Sequence, residues 1–413
     1  MRNFRTIIIL FITLLVLLYV LIPKFSFGPG KNSLPEIETI ATEASSTRTA
    51  PVSENSTTTK TVVLPTEKDT PTLLPEPLLE KPIIRKIYSA NTSSTYANIR
   101  AVYLTSGYVY SSSKINELLN IFDTTGANGV VIDFVDNSAP DMERMTKVVS
   151  LFREKGAYTI ARIVTFQNTR FAKAHPESAI KTGAGEFWYS GKKSWQRYWL
   201  DPASPTAQNY IVSIGKQAVD AGFNEIQFDY IRFPTDGDMS DLVFPSYNPS
   251  TQTKTAVMNG FFSKLRTELL SYDPNIKMSI DIFGDVMTYG KATTIGQDMA
   301  KMADYFDVIS PMSYPSHYNC GAFGVQDPTA YPYKVYNDTI AEGQKYLEGT
   351  NAIIRPWIQD FSMTSIYKCG PIVYYTKNRV LEEIQGGKDL GVNGFMLWNA
   401  GSNFTSAVFG EKL

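Results

Sequence analysis

Cysteine and histidine are scarce in this chain of 413 residues, which contains only Cys320, Cys369, His175 and His317. A zinc site built on thiolates needs more ligands of these types than the chain can supply, and a His-rich metal centre is equally disfavoured. A Ser-His-Asp triad would have to use one of the two histidines. We therefore expect any catalysis to rest on carboxylates, with no metal and no other cofactor.

The chain also lacks an excess of charge of either sign, with 39 basic and 40 acidic residues. Electrostatics therefore predict no nucleic-acid partner. Aromatic residues are plentiful at 13%, including 24 tyrosines. This richness is typical either of a large core or of a cleft that stacks on flat sugar rings, and composition leaves both interpretations open.

One long apolar run occupies residues 6–22, directly after Arg2 and Arg5. As a helix it measures about 25 Å, enough to cross the hydrocarbon core of a bilayer. A signal peptide or a membrane anchor fits, and the lack of a small-residue cleavage site favours the anchor. The arginines place residues 1–5 in the cytoplasm. The sequence thus predicts a single-pass protein of the cell membrane with its remainder outside, or a secreted protein if the segment is cleaved.

Residues 23–95 are predicted to form a disordered linker. Between residues 31 and 82 the sequence is dominated by Ser, Thr and Pro, as in TTTKT and PTEKDTPT. Such a segment cannot bury enough apolar surface to offset its chain entropy. We expect an extended stalk that separates the following domain from the membrane.

From residue 96 to residue 413, strand and helix patterns alternate, which predicts an α/β fold. Strands are predicted at 99–105, 129–135, 158–166, 225–233, 277–284, 306–314, 352–361 and 394–400. Helices are predicted at 114–126, 142–156, 207–222, 257–272, 295–305, 334–349 and 377–391. This order matches a (β/α)8 TIM barrel preceded by a transmembrane anchor and a disordered linker. A doubly wound open sheet is the alternative, but no Gly-rich phosphate turn follows the first strand.

Tryptophans gather near the carboxyl ends of the predicted strands, where barrels carry their active sites. The longest connection, 167–205, contains Trp188, Trp195 and Trp199, and the seventh and eighth strands carry Trp357 and Trp398. Either the five side chains stack on substrate or they pack a lid. Both interpretations remain open from sequence.

Aspartates stand near several of the same strand ends. Asp229 ends the fourth strand, Asp281 lies in the fifth, and Asp360 ends the seventh. Glycoside hydrolysis typically uses two carboxyl groups, so Asp229 and Asp281 are the leading catalytic candidates and Asp360 is a third acid or a ligand for sugar hydroxyls. The structural alternatives are an ion pair for Asp229, a buried hydrogen-bonded Asp281 and a cap at Asp360. Asp133 and Asp136 are weaker candidates because their surroundings also resemble a turn.

No glutamate ends a predicted strand on the active face, since Glu225 begins its strand. An aspartate must then serve as the acid, with its pKa raised by burial or by a like-charged neighbour. Near the same strand ends, His317 is suited to bind a substrate hydroxyl or to orient a carboxylate, and the arginines to hold aspartates ionised or to bind an anionic sugar. The residues predicted to bind substrate are Arg162, Trp188, Tyr230, Arg232, Asp285, Tyr314, His317, Trp357, Gln359, Trp398 and Asn399.

Cys320 and Cys369 follow the sixth and seventh predicted strands, which are neighbours in a barrel. Outside the cytoplasm the environment is oxidising enough to join them. We expect a disulfide on the active face, worth about 4 kcal/mol in the chain-entropy account. Two unrelated thiols are the alternative.

Eight segments in fixed order carry a family resemblance: AVYLTSG, IARIVTFQN, LDPASP, EIQFDYIRFPTDG, SIDIFGD, ISPMSYPSHY, RPWIQDF and GFMLWNAGS. Over residues 98–405 the chain resembles a domain-of-unknown-function family of bacterial barrels, assigned to the glycoside hydrolases and distantly similar to α-amylase-like barrels. The resemblance implies a nucleophile at Asp229, a proton donor at Asp281 and a transition-state stabiliser at Asp360. Two positions depart from the α-amylase-like pattern, because Gln227 stands where those barrels have arginine and Asp281 where they have glutamate.

The predicted function is hydrolysis of a polysaccharide outside the cytoplasmic membrane, with the membrane as partner through the N-terminal helix. A non-catalytic, glycan-binding barrel is the alternative, because no glutamate stands on the active face. A sugar deacetylase that uses a divalent metal is a third interpretation, disfavoured by the two histidines.

Overall fold

The computed structural model describes residues 96–136, 139–191 and 196–410. The predicted tail (1–5), anchor (6–22) and linker (23–95), together with Trp195, lie outside these ranges. Within the described ranges, no helix combines the length and the apolar character needed to cross a membrane.

A parallel sheet of nine strand segments forms the centre of the fold. They are β1 Arg100–Leu104, β2 Gly129–Val135, β3 Tyr158–Val164, β4 Glu225–Asp229, β5 Lys277–Phe283, β6 Val308–Met312, β7 Ile353–Ile354, β8 Trp357–Gln359 and β9 Phe395–Trp398. Every pairing among them is parallel. All eight predicted strands are present, most of them shorter than predicted.

The strand order is β7-β6-β5-β4-β3-β2-β1-β9-β8. Its two ends, β7 and β8, belong to one extended stretch that is interrupted only by Arg355 and Pro356. Proline has no backbone N–H to donate, which accounts for the break in pairing. Sequential strands that pair in order, with the first beside the last, make the architecture TIM-like α/β.

Helices follow most of the strands. They are α1 Ser112–Thr124, α2 Met142–Glu154, α3 Thr169–Ala174, α4 Pro205–Asp220, α5 Lys254–Tyr272, α6 Gly284–Tyr289, α7 Met299–Met302, α8 Pro332–Leu347 and α9 Lys377–Lys388. Short 3-10 helices occupy Tyr96–Asn98, Ser106–Tyr108, Pro176–Ser178, Met239–Asp241, Pro315–His317, Ala322–Gly324, Pro328–Ala330 and Ser406–Gly410. Several helices begin with an N-cap residue: the side chains of Ser111, Asp141 and Ser204 accept backbone N–H groups of the first turn.

The alternation of side chains along each strand sorts the buried residues into two groups. Val130 and Ile132 belong to the large cluster that also contains the buried faces of the helices. Val131 belongs to a separate cluster with Tyr103 and Trp357. Residues of one parity therefore face the helices, and those of the other face the inside of the sheet. Charged residues that share the parity of Val131 are consequently delivered to the inside.

The predicted helix at 295–305 is wrong over most of its length. Gly296 has a φ of +83°, in the left-handed region, and Gln297–Asp298 pairs with Lys291–Ala292 as a short antiparallel ribbon. Only Met299–Met302 is α-helical. Gln297 pairs with Ala292, five residues upstream, in an antiparallel ribbon. The backbone groups used in this pairing cannot also form the hydrogen bonds of a helix.

Candidate active site

A cavity of about 590 Å³ opens at the carboxyl ends of the strands. It is shaped by residues from β3, β4 and its extension, β5 with α6, β6 and its loop, β8 and β9. The lining residues are Arg162, Asp229, Tyr230, Arg232, Thr235, Asp236, Phe283, Gly284, Asp285, Met312, Tyr314, His317, Tyr318, Trp357, Ile366, Tyr367 and Trp398.

Arg162 on β3 binds two carboxylates at the base of the cavity. Its Nη1 lies 2.7 Å from Asp133, and its Nε lies 3.1 Å from Asp229, which Nη2 also contacts. Burial alone would oppose the charge of Arg162, but the carboxylates of Asp229 and Asp133 raise its pKa. The guanidinium therefore stays charged and holds Asp229 in one orientation.

Asp133 has a structural role beside Arg162. Its Oδ2 accepts from the Tyr103 hydroxyl at 2.5 Å and from the Ser106 N–H at 3.1 Å. It is fully buried and does not line the cavity. With both oxygens occupied, Asp133 anchors the arginine that orients Asp229.

Asp281 on β5 is buried just behind this cluster. Its Oδ1 accepts from Gln227 at 2.6 Å and from the Trp357 indole at 2.7 Å. Its Oδ2 has no hydrogen-bond partner and lies 4.0 Å from Arg162 Nε. Burial, and then the charge of Asp229, raise the pKa of Asp281 well above its usual range. Asp281 does not line the cavity. It is a buried carboxyl group behind the cavity wall, in surroundings that favour its protonated form.

The backbone turns sharply after Asp229. Tyr230 has a φ of +52°, which is uncommon for a residue with a side chain. Its N–H donates to Asp229 Oδ1 at 2.7 Å, and its ring lines the cavity. Both oxygens of Asp229 are thus bound by protein groups, and the strained turn is one means of holding them.

Asp285 and Asp236 are the exposed carboxylates of the cavity. Asp285 lies in the first turn of α6, and partial burial of its carboxyl group raises its pKa. It is therefore a second carboxyl group that can hold a proton, in this case on the cavity wall. No glutamate is among the lining residues.

His317 is connected to the interior by a chain of hydrogen bonds. Its Nδ1 lies 2.9 Å from the hydroxyl of Ser316, and that hydroxyl lies 2.8 Å from Gln359 Oε1. Burial lowers the pKa of His317. The ring is thus neutral near pH 7 and lines the cavity.

The tryptophans divide between the cavity and the core. Trp398 lines the cavity and is partly exposed. Trp357, with its ring centroid 5.5 Å from that of Trp398, borders the cavity but is only 1% exposed. Trp188 and Trp199 are fully buried, with indole N–H groups bonded to Asp238 and Ser190. Trp188, predicted to bind substrate, instead packs inside the long connection, where its indole N–H donates to the Asp238 carbonyl at 2.7 Å.

Three further predicted residues lie outside the cavity lining. Both oxygens of Asp360 accept from Thr405 at 2.7 Å. The amide of Gln359 is buried against Ser316, and the Asn399 amide donates to the Asp360 carbonyl at 2.6 Å. These side chains support the loops after β8 and β9 rather than facing the opening. Arg162, Tyr230, Arg232, Asp285, Tyr314, His317, Trp357 and Trp398 do line the cavity.

Cys320 and Cys369 form a disulfide, with their Cα atoms 5.2 Å apart. The bridge joins the loop after β6 to the loop after β8. Ile366 and Tyr367, a few residues before Cys369, line the cavity. The disulfide therefore restrains one wall of the opening.

The family comparison agrees with this geometry. A family model described as "Putative glycosyl hydrolase domain" matches residues 101–404. The chain belongs to this family. Among curated proteins, none matches the chain.

Solved structures similar to this member of the glycosyl hydrolase family include a hypothetical protein from Ruminiclostridium thermocellum ATCC 27405, with 28% identity and a TM-score of 0.37 over 44% of this chain and 96% of that one. An α-galactosidase from Thermus thermophilus has 11% identity and a TM-score of 0.45 over 74% of this chain and 58% of that one. A GH18 chitinase from Pseudoalteromonas aurantia has 11% identity and a TM-score of 0.42 over 75% of this chain and 97% of that one.

The structure explains one of the two departures from the α-amylase-like pattern. Where the α-amylase-like pattern has arginine, Gln227 supports Asp281, and the guanidinium beside Asp229 comes from Arg162 on the neighbouring strand. The sequence pattern makes Asp133 only a weak candidate and does not single out Tyr103, Phe283, Met312 or Tyr367. The alternation of side chains along each strand places Tyr103, Asp133 and Arg162 on the same, inner face of the sheet. This was the signal that could have assigned Tyr103 and Asp133 to the site. Among the described residues, no group of three or more His, Cys, Asp or Glu is arranged to hold a metal.

Proposed function

We propose that this family member hydrolyses glycosidic bonds with aspartate side chains, Asp229 acting as nucleophile and Asp281 as proton donor. One observation carries the proposal: the two carboxyl groups approach the same nitrogen of Arg162, yet only Asp229 is hydrogen-bonded to it. Arg162 binds Asp229 through Nε and Nη2, whereas burial and then the charge of Asp229 raise the pKa of Asp281. Two carboxyl groups in opposite protonation states are what glycoside hydrolysis requires.

In the proposed reaction, Asp229 attacks the anomeric carbon while the bond to the leaving oxygen breaks. The leaving oxygen takes the proton of the acid, so the first product departs as an alcohol and the sugar remains as an ester on Asp229. Water then attacks the anomeric carbon, the bond from that carbon to Asp229 breaks, and a proton of the water passes to the deprotonated acid. Asp229 leaves as a carboxylate, and the enzyme is restored.

Asp285 is the competing proton donor because it lines the cavity, whereas Asp281 lies behind the wall. Leaving-group dependence separates the two. Loss of the true acid slows cleavage of a natural sugar leaving group by orders of magnitude but spares an aryl glycoside whose leaving group needs no proton. We expect this pattern for Asp281→Asn. The same pattern in Asp285→Asn alone would transfer the role to Asp285.

We further propose that the substrate is a polysaccharide outside the cytoplasmic membrane, and that residues 6–22 anchor the chain in that membrane. The apolar run, its flanking arginines and the Ser/Thr/Pro-rich segment support this location. The Cys320–Cys369 disulfide also supports it, because such bonds persist in oxidising compartments. Membrane fractionation and protease accessibility of the barrel in intact cells test the proposal.

A non-catalytic, glycan-binding barrel is the second candidate. It is favoured by the absence of glutamate among the lining residues and by the position of Asp281 behind the wall. To separate the two, the purified full chain, held in a detergent without a sugar head group, is incubated with envelope polysaccharides. Release of new reducing ends supports hydrolysis. Saturable binding of a polysaccharide without new reducing ends supports the binding protein.

A further inference from the structure

Arginine is buried at three positions of the described chain, and one of the three lacks a counter-ion. Arg162, Arg232 and Arg355 are 7%, 7% and 0% exposed. Arg162 pairs with Asp133 and Asp229, and Arg355 pairs with Glu225. No carboxylate oxygen of the described residues lies within 4.0 Å of Arg232. Because buried charges in proteins are normally paired, Arg232 calls for an explanation.

The guanidinium of Arg232 is held in place by aromatic rings and two hydrogen bonds. It lies 4.5 Å from the ring centroid of Phe283 and 5.1 Å from that of Trp199. Its Nη1 donates to the Phe233 carbonyl at 3.1 Å and to the Thr235 hydroxyl at 3.2 Å. These contacts fix the plane of the group without neutralising its charge.

The remaining donors of Arg232 are available to a ligand. Neither Nε nor Nη2 has a hydrogen-bond partner among the described residues, and neither is among the buried, solvent-excluded atoms that lack one. Arg232 lines the cavity. Nε and Nη2 form the two-pronged edge that matches the two oxygens of a carboxylate.

The acidic residues near Arg232 do not neutralise it. Asp229 is taken up by Arg162, and the exposed Asp236 and Asp285 lie beyond ion-pair distance. Burial lowers the pKa of Arg232, and the negative charge of Asp236 offsets only part of this effect. The described residues therefore leave the positive charge of Arg232 without a paired negative charge. A bound anion would supply what is missing.

We infer that the substrate is an acidic glycan and that Arg232 binds a carboxylate carried by one of its sugars. The inference rests on the proposed function for its glycan and adds the class of sugar, with Arg232 as the residue that selects it. A uronic acid residue provides a carboxylate attached directly to the ring, where the partly exposed Trp398 can contact the ring itself.

The test compares acidic polymers with their own neutral forms. Polygalacturonate, polymannuronate and a glucuronate polymer are immobilised, each beside a sample whose carboxyl groups have been reduced to hydroxymethyl groups. Binding of the full chain is measured, in the sugar-free detergent, for the wild type, Arg232→Gln and Arg232→Lys. Lys301→Gln, which removes one exposed cation on α7, is the matched charge control.

We expect the wild type to bind at least one acidic polymer about tenfold or more tightly than its reduced form. Arg232→Gln should abolish that preference, Arg232→Lys should retain part of it, and Lys301→Gln should leave it intact. Equal binding of acidic and reduced polymers by the wild type, binding of no acidic polymer, or an undiminished preference in Arg232→Gln would each overturn the inference.

Thermal melting shows whether these variants remain folded. Because Arg232 has no ion pair to lose, Arg232→Gln should melt close to the wild type, unlike Arg162→Gln. A large drop in melting temperature for Arg232→Gln would instead indicate a structural role and count against the inference. Acidic binding without cleavage would uphold the inference and count against hydrolysis, whereas cleavage restricted to neutral polymers would do the opposite.

Discussion

Gln359 determines which ring nitrogen of His317 carries the proton. The Gln359 oxygen accepts from the Ser316 N–H at 3.2 Å, and its nitrogen donates to the Phe361 carbonyl at 3.1 Å, so the amide has one orientation. The Ser316 hydroxyl must then donate its only proton to that oxygen. Nδ1 of His317 must donate to the hydroxyl, and Nε2 is left as a hydrogen-bond acceptor.

We predict that His317 is the Nδ1–H tautomer at neutral pH. Two-bond 1H–15N correlation spectra distinguish protonated from unprotonated ring nitrogens, and with two histidines in the chain a His175→Asn variant assigns the signals. Ser316→Ala removes the acceptor of Nδ1 and should shift the population towards Nε2–H. A wild-type spectrum dominated by the Nε2–H form would refute the hydrogen-bond chain.

His317 should also titrate below its ordinary pKa of about 6.5, because burial disfavours the imidazolium. A histidine whose folded pKa is lowered contributes stability above the unfolded pKa and loses it as pH falls through the folded pKa. Acidification below about pH 6 should therefore destabilise the wild type more than His317→Asn. The free energy of unfolding, measured by denaturant titration at several pH values, checks this, and parallel curves for the two proteins would contradict it.

We predict that Asp281 gives the free energy of unfolding a pH dependence of the opposite sign. Its pKa is raised in the folded state, so its contribution is fully present below the unfolded pKa of about 3.9 and is lost as pH rises towards the folded pKa. Across that window, one protonated carboxyl costs up to about 1.4 kcal/mol of unfolding free energy per pH unit. Asp281→Asn should remove this slope, while Asp304→Asn, an exposed control, should keep it. Identical slopes in all three proteins would show that Asp281 is ionised when folded.

Arg162→Gln should be strongly destabilising. It leaves Asp133 and Asp229 buried without their shared cation, and breaking one side of a buried pair costs about 3–5 kcal/mol. Lys155→Gln, which breaks the exposed pair with Asp123, is the control and should change the free energy of unfolding by less than about 1 kcal/mol. Equal effects of the two variants would mean that the Arg162 cluster is not a buried, coupled unit.

Removing the Cys320–Cys369 bridge should loosen the cavity wall that carries Tyr367. Closing a loop with a sequence separation of 49 residues stabilises the chain by roughly 4 kcal/mol in the entropy account. Reductant should therefore lower the unfolding free energy of the wild type but not that of a Cys320→Ser, Cys369→Ser double variant. Two free thiols in peptides from non-reduced protein taken from the oxidising side would refute the bridge.

Much of the fold could be predicted from sequence because strand patterns are local. The predicted strand at Gly129–Val135 agrees with the structure to the residue, since a run that is apolar except for Asp133 lies between turn-forming residues. The predicted helix at 295–305 is wrong because the hairpin formed there depends on a positive φ at Gly296 and on pairing with Lys291–Ala292. A helical pattern does not encode either condition.

The site was harder to predict because strand-end position does not say which partners a side chain finds. Asp229 and Gln359 both end strands. Asp229 lines the cavity, whereas the side chain of Gln359 is buried and hydrogen-bonded to Ser316. The turn that follows its strand makes Asp133 a weaker candidate from sequence, but Asp133 lies on the same face of β2 as Val131 and binds Arg162. Such pairings depend on the register between neighbouring strands and on the path of the loops, which the pattern of a single strand does not encode.

The most direct measurement is release of reducing ends from an envelope polysaccharide by the wild type and by Asp229→Asn, prepared identically. Asparagine keeps the size of the side chain but cannot act as an ionised nucleophile, and Arg162 retains Asp133 as a partner. We expect the wild type to release oligosaccharides and Asp229→Asn to be slower by orders of magnitude, with an unchanged circular dichroism spectrum. Near-normal turnover in folded Asp229→Asn would contradict catalysis by Asp229.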